Sequence, residues 1–211
     1  IFMRILGLIA LYAVALFLTG WLLLDVESML VSELTANKEL DIPENVLLDA
    51  LEDMRYWNRF SVLFTFLILV VKCFLMSLVL YGGLFFANLH QGIRLGSLFR
   101  VTAFAEVALV LAGVIKVWVG AISEFTYSEF AIYYPLSLLS ALGPESVDPL
   151  LYYPLQIANL FEMLYGLLIV IFLRQELSFS TSQSIKVGLG SYAVSLLFWM
   201  VLILFLTLNF T

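Results

Sequence analysis

Residues 60–88, with the sequence FSVLFTFLILVVKCFLMSLVLYGGLFFAN, contain a single charged side chain, that of Lys72. A helix of about 20 apolar residues crosses the roughly 30 Å hydrocarbon core of a bilayer. The run exceeds that length, so it predicts a membrane-spanning helix. Because a charge at mid-depth in a membrane is costly, Lys72 requires either a partner or a function.

Four further apolar runs lie on either side of this one. They occupy residues 5–24, 98–119, 151–173 and 187–208. None alternates apolar and polar residues as the strands of a transmembrane barrel do. The sequence therefore predicts an all-α, polytopic transmembrane bundle of five spans, with residues 1–211 forming one integral membrane domain.

The composition supports the same class. Apolar residues make up 63% of the chain and charged residues 12%, and the mean hydropathy is +1.06. Soluble domains have a far larger share of charged residues. The formal net charge of −6 argues against nucleic acid as a partner, because nucleic acids attract basic surfaces. Membrane lipid is the expected surrounding.

Basic residues are distributed unevenly among the connections between the predicted spans. One side of the bundle carries most of them: Arg4, Arg94, Arg100, Arg174 and Lys186. Acidic residues predominate in the two connections on the other side, residues 25–59 and 120–150. By the positive-inside rule, the amino end is predicted to face the cytosol and the carboxyl end the exterior.

Cysteine and histidine counts exclude several kinds of chemistry. The chain has one cysteine, Cys73, and one histidine, His90. It therefore has no second cysteine for an internal disulfide, and it lacks the ligands for bis-histidine haem or an H-E-x-x-H zinc site. Neither a G-x-S-x-G nucleophile elbow nor a Walker loop occurs. We expect no enzymatic activity, no metal and no cofactor.

The first outer connection contains an amphipathic pattern over residues 43–57. Apolar side chains at helical spacing form a candidate interface: Val46, Leu47, Leu51, Met54 and Trp57. Acidic residues occupy the opposite side, which predicts an interfacial helix. Two interpretations remain open. The apolar face docks another subunit, or the helix packs on its own bundle.

The second outer connection and the start of the fourth run share a short repeat. Residues 133–136 and 152–155 both read Tyr-Tyr-Pro-Leu. A proline is favoured in the first turn of a helix, and tyrosine is enriched at membrane interfaces. The repeat predicts a short interfacial helix in the connection and the beginning of the fourth span.

Polar residues near mid-depth are the strongest functional candidates. The predicted intramembrane polar cluster comprises Lys72, Glu106, Asn159 and Glu162. Span midpoints place Glu162 at the centre, with Lys72 and Glu106 within about 5 Å of the midplane at 1.5 Å per residue. These residues serve either as structural pairs, within the chain or to a partner helix, or as an ion or proton pathway.

Residues 81–92 and 97–106, with the sequences YGGLFFANLHQG and SLFRVTAFAE, resemble the junction of the second and third spans in the Yip domain family. The last two spans are also similar, so the resemblance covers about Leu78 to Asn209. It implies five spans, a cytosolic amino end and an exterior or lumenal carboxyl end. The chain resembles the bacterial type, which implies a bacterial inner membrane.

Two functions are consistent with these features. The first is a non-catalytic scaffold or accessory subunit of a larger membrane complex, which has other membrane-protein subunits or a second copy as partners. The second is a small proton- or ion-coupled carrier that uses Lys72, Glu106 and Glu162. The scaffold is favoured because interfaces between membrane helices routinely contain polar residues of this kind.

Overall fold

The structure is a computed structural model that describes residues 2–36 and 44–210. Within these ranges the chain is helical, and it has no strand beyond one isolated bridge. The helices are α1 (Phe2–Leu23), α2 (Val26–Ala36), α3 (Glu44–Asn58), α4 (Ser61–Phe86), α5 (Leu95–Ala105), α6 (Val107–Ile122), α7 (Tyr127–Ile132), α8 (Leu138–Leu142), α9 (Tyr152–Ile157), α10 (Leu160–Leu177) and α11 (Thr181–Phe210).

Four helices in the described part of the chain are long and apolar enough to cross a membrane. They are α1, α4, the pair α5 and α6 taken together, and α11. They correspond to the predicted runs 5–24, 60–88, 98–119 and 187–208. The all-helical class is confirmed, and these four runs have the length and composition that the prediction requires.

Helices α5 and α6 follow each other directly, with only Glu106 between them. This residue keeps right-handed helical angles, with φ −57° and ψ −21°, and its backbone N–H donates to the carbonyl of Thr102 at 3.0 Å. The two segments therefore act as one helix of spanning length, and Glu106 lies at their junction.

The predicted span 151–173 is not one continuous helix. Helix α9 ends before Ala158, and Asn159 is extended, with φ −135° and ψ 161°. The side-chain Oδ1 of Asn159 accepts a hydrogen bond from the backbone N–H of Glu162 at 2.8 Å, which caps a new helix, α10. Glu162 therefore lies in the first turn of a helix, whereas the sequence placed it at the centre of one.

Backbone groups at the break before α10 form hydrogen bonds with the preceding connection. The N–H of Leu138 donates to the carbonyl of Ala158 at 2.9 Å, and the N–H of Leu160 donates to the carbonyl of Leu136 at 3.3 Å. Backbone groups inside a membrane protein need such internal partners, because lipid supplies none. The connection thus folds back onto the bundle and stabilises the break.

Two groups of buried side chains form the core. The larger joins α4, α5, α6, α10 and the start of α11, and it includes Leu80, Leu98, Tyr165, Ile169 and Leu173. The smaller joins α1 to α4 and α5 through Ile9, Cys73 and Ala103. Helices α4 and α5 contribute to both groups and therefore connect them.

Helices α4 and α11 approach closely at one point. A Cβ built on Gly83 would meet the hydroxyl of Ser191 and lie 3.1 Å from its Cβ, so a larger residue at this position would have to displace the Ser191 side chain. From this contact towards the beginning of α4 and the end of α11, both helices line the cavity described below.

The amphipathic helix predicted over residues 43–57 corresponds to α3, although Pro43 lies outside the described residues. A second helix, α2, precedes it and was not predicted. The Nε of Arg55 in α3 donates to a carboxylate oxygen of Glu27 in α2 at 2.9 Å. This exposed ion pair connects the two helices.

Candidate functional site

Lys72 and Glu106 form an ion pair in the middle of the bundle. The Nζ of Lys72 lies 2.6 Å from Oε1 of Glu106. Glu106 is 1% exposed, whereas the side chain of Lys72 is 42% exposed. The carboxylate is therefore inside the protein, and the lysine reaches it from the surface of α4. The second carboxylate oxygen, Oε2, has no hydrogen-bond partner among the described residues.

A small polar network lies one turn from this pair. The hydroxyl of Thr102 donates to the carbonyl of Cys73 at 3.0 Å and lies 3.2 Å from the hydroxyl of Ser77. Both hydroxyl groups are fully buried. Hydrogen bonds of this kind between membrane helices contribute about 0.6 to 2 kcal/mol each. Together with the ion pair they fix α4 against α5.

Glu162 occupies a different position from Glu106. Its carboxylate accepts a hydrogen bond from the hydroxyl of Tyr192 on α11. Its place in the first turn of α10 puts it near the positive end of the helix dipole, which favours a negative side chain. Glu162 thus connects α10 to α11, while Glu106 connects the α5–α6 junction to α4.

Lys72 and Glu162 line one cavity of about 650 Å³, which we call the α4–α11 groove. Apolar side chains of α4 form one wall, and Tyr192, Ser195, Leu196 and Trp199 of α11 form the other. The wall residues Ile68, Val71 and Leu75 are more than half exposed. The groove therefore opens sideways between the two helices, towards the surface that would contact lipid.

Aromatic rings surround the polar residues of the groove. The Nζ of Lys72 lies 5.5 Å from the ring centroid of Tyr165, within the range of a cation–π contact. The rings of Tyr165 and Tyr192 are 5.2 Å apart, and the indole N–H of Trp199 donates to the hydroxyl of Tyr153. Tyr153 belongs to the Tyr-Tyr-Pro-Leu repeat at residues 152–155. Tyr165, Tyr192 and Trp199 carry no distinguishing sequence signal, because aromatic side chains are common in membrane spans.

The predicted polar cluster is brought together only in part. Lys72 contacts Glu106 directly and shares the groove with Glu162. Asn159 acts instead as the helix cap of α10, and its amide group donates to the carbonyls of Gln156 and Ile157 at 2.8 and 3.1 Å. Its contribution is to place Glu162 at the start of a helix.

The residues of the predicted α3 interface are divided between two sides of the helix. Leu51 is buried within the chain, at 8% exposure, and Leu47 and Met54 are partly buried. Val46 and Trp57 are exposed at 50% and 58%. The first three residues thus pack on the chain itself, and the last two remain available to lipid or to a partner.

Two further ion pairs and a helix cap involve titratable groups. Arg100 and Glu176 lie 3.0 Å apart and connect α5 to α10. The hydrogen bond from Arg55 lowers the pKa of Glu27. Hydrogen bonds from the backbone N–H and the hydroxyl of Thr126 lower the pKa of Glu129, at the start of α7.

The fold and the polar groove define an all-helical protein with four helices that are long and apolar enough to cross a membrane, the features of an integral membrane protein. Comparison with protein-family models, with curated proteins and with solved structures gives no match for the chain. The resemblance to the Yip domain family accordingly stays a prediction.

Proposed function

We propose that the chain is a non-catalytic integral membrane protein of five spans that serves as a scaffold or accessory subunit of a larger membrane complex. One observation carries this proposal. In its most apolar stretch α11 buries none of its residues against the described parts of the chain, whereas the corresponding stretch of the α5–α6 helix buries 56%. Membrane helices associate by packing, so a span with little packing of its own is suited to a partner helix.

The exposed apolar side chains of α11 support a contact along one face. The residues concerned recur at helical spacing: Val194, Phe198, Val201, Phe205 and Leu208. We call this set the α11 stripe. It extends over about 21 Å at 1.5 Å per residue, most of the thickness of a bilayer core. On this proposal the stripe packs against another subunit or a second copy of the chain.

The proposed fifth crossing consists of α9, the break at Ala158 and Asn159, and α10. Backbone hydrogen bonds at the break support it, because they make a discontinuous helix tolerable inside a membrane. The distribution of basic residues supports a cytosolic amino end and an external carboxyl end. With that orientation α3 lies at the outer interface of a bacterial inner membrane, and the five spans agree with the Yip resemblance.

Co-purification from the native membrane in a mild detergent, followed by mass spectrometry, tests the subunit role. We expect a membrane protein, or a second copy of the chain, in stoichiometric amounts. The pair of substitutions Phe198→Ala and Phe205→Ala should reduce its recovery, whereas Met163→Ala, at a similarly exposed position on α10, should not. Recovery of the wild-type chain as a monomer without partners would contradict the proposal.

A second candidate function is a proton- or ion-coupled carrier. Two observations favour it: Lys72 and Glu162 line one groove, and the polar residue Asn159 lies at a break in a predicted span. Transporters commonly bind substrates beside discontinuous helices. On this alternative, Glu106 and Glu162 exchange protons while Lys72 changes partner between them.

Proton flux into proteoliposomes distinguishes the two functions. A carrier should lose its flux in Glu106→Gln and in Glu162→Gln while the protein still assembles normally. Glu124→Gln removes an equal charge from an exposed position in the connection, and it should leave the flux unchanged. Absence of flux in the wild-type protein, under conditions in which the partner co-purifies, would leave only the subunit role.

A further inference from the structure

The α4–α11 groove has the size and lining of a binding site for a small amphiphile. Its volume of about 650 Å³ lies within the roughly 300 to 1,000 Å³ of ligand sites. On α4 it extends from Leu67 to Val79, which is about 18 Å along the helix at 1.5 Å per residue. An alkyl chain could lie along this wall while a head group reached the polar residues.

The charges at the groove favour a cation. Lys72 is paired with Glu106 at 2.6 Å, so its positive charge is already matched within the protein. Glu162 has no cation within salt-bridge distance among the described residues, and the hydroxyl of Tyr192 is its side-chain donor. With both carboxylates ionised, the three residues carry one net negative charge.

The aromatic residues of the groove add a preference for one type of cation. Tyr153, Tyr165, Tyr192 and Trp199 all line it. Aromatic faces attract cations through the ring quadrupole, and groups of such rings bind quaternary ammonium ions. A quaternary ammonium group has no N–H donors and loses few strong hydrogen bonds when it leaves water, so an aromatic surface beside one carboxylate suits it better than it suits a phosphate or a carboxylate.

We propose that the α4–α11 groove binds an amphiphile with a single alkyl chain and an ammonium head group, with the chain along α4 and the head group beside Glu162. The site is separate from the proposed subunit contact. Tyr192, Ser195 and Trp199 face the groove, whereas the α11 stripe lies on roughly the opposite side of the same helix, at 100° per residue. The two contacts can therefore be occupied together.

Quenching of Trp199 fluorescence by brominated alkyl chains tests this site. The protein, in uncharged maltoside micelles, would carry Trp21→Phe, Trp57→Phe and Trp118→Phe, so that Trp199 is the only tryptophan. The probes would share a brominated dodecyl chain and differ only in the head group, which would be trimethylammonium, hydroxyl or carboxylate. We expect half-saturation by the ammonium probe at a concentration at least about tenfold below that of the other two.

The variant Glu162→Gln should remove this preference and leave quenching by the alcohol unchanged, which verifies that the groove is intact. Glu124→Gln, which removes a distant charge, should retain the preference. Equal half-saturation by all three probes would overturn the proposal, as would a preference for the carboxylate. A preference for ammonium that survives in Glu162→Gln would overturn it equally.

Discussion

Lys72 and Glu106 are 34 positions apart in the sequence, and in the fold their Nζ and Oε1 atoms lie 2.6 Å apart. The pair joins α4 to the junction of α5 and α6, and Lys72 lies about midway along the α4 wall of the groove. Pairing neutralises one charge on each helix. An unpaired charge on either helix would be costly in a membrane. The stability of the bundle and the chemistry of the groove therefore depend on the same contact.

Breaking this ion pair on one side should destabilise the protein. Lys72→Met leaves a carboxyl group buried without its cation, and we expect a loss of about 3 kcal/mol. Adding Glu106→Gln to Lys72→Met should destabilise by less than the sum of the two single changes, because the buried charge is also removed. Thermal unfolding in micelles measures the three variants. Simple additivity would mean that the two side chains do not interact.

Removing the cap of α10 should destabilise the start of this helix, which follows the break in the predicted fourth span. Asn159→Ala removes the acceptor of the Glu162 N–H, and we expect a cost of about 1 kcal/mol. Asn159→Ser keeps a capping oxygen and should recover part of that loss. If alanine and serine at this position unfold at the same temperature, the cap does not stabilise α10.

The contact between α4 and α11 should depend on Gly83 and not on its neighbour. Gly83→Ala places a Cβ against Ser191 and should cost about 1 kcal/mol or more. Gly82→Ala is the matched control, because a Cβ there has no neighbour within 4 Å among the described residues. Equal melting temperatures of the two variants would contradict the close approach.

The start of α7 should lose stability in acid. Hydrogen bonds from Thr126 lower the pKa of Glu129. The ionised carboxylate therefore stabilises the start of α7 fully above the ordinary glutamate pKa, and this stabilisation is lost as the pH falls through the lowered pKa. Hydrogen exchange of residues 127–132, compared with Glu129→Gln at each pH, isolates this effect. The difference in protection between the two proteins should shrink as the pH falls. A difference that stays constant would refute the assignment.

Much of the fold is predictable because membrane spans follow from length and composition. Four of the five runs correspond to helices of spanning length, because a continuous helix pairs the backbone groups for which lipid supplies no partner. The run 151–173 differs because Asn159 gives the backbone N–H of Glu162 a side-chain partner and so caps α10. The residues on either side of Asn159 are mostly apolar, so the mean hydropathy of the run does not indicate the cap.

The candidate site was less predictable than the spans. Sequence position gives the depth of a residue in a membrane helix, but the rotation of each helix depends on packing. For that reason the sequence placed Lys72, Glu106 and Glu162 at similar depth without determining which would pair. The contact of Tyr192 with Glu162 depends on how α10 packs against α11, and no motif in the sequence indicates it.

Photo-crosslinking along α11 in the native membrane tests the proposed subunit role most directly. A photoreactive amino acid at Phe198, on the stripe, is compared with one at Met163 on α10; the two native side chains are 70% and 71% exposed. The account predicts a discrete protein adduct from position 198 and none from position 163. Adducts to lipid alone at position 198, or the same protein adduct from both positions, would contradict it.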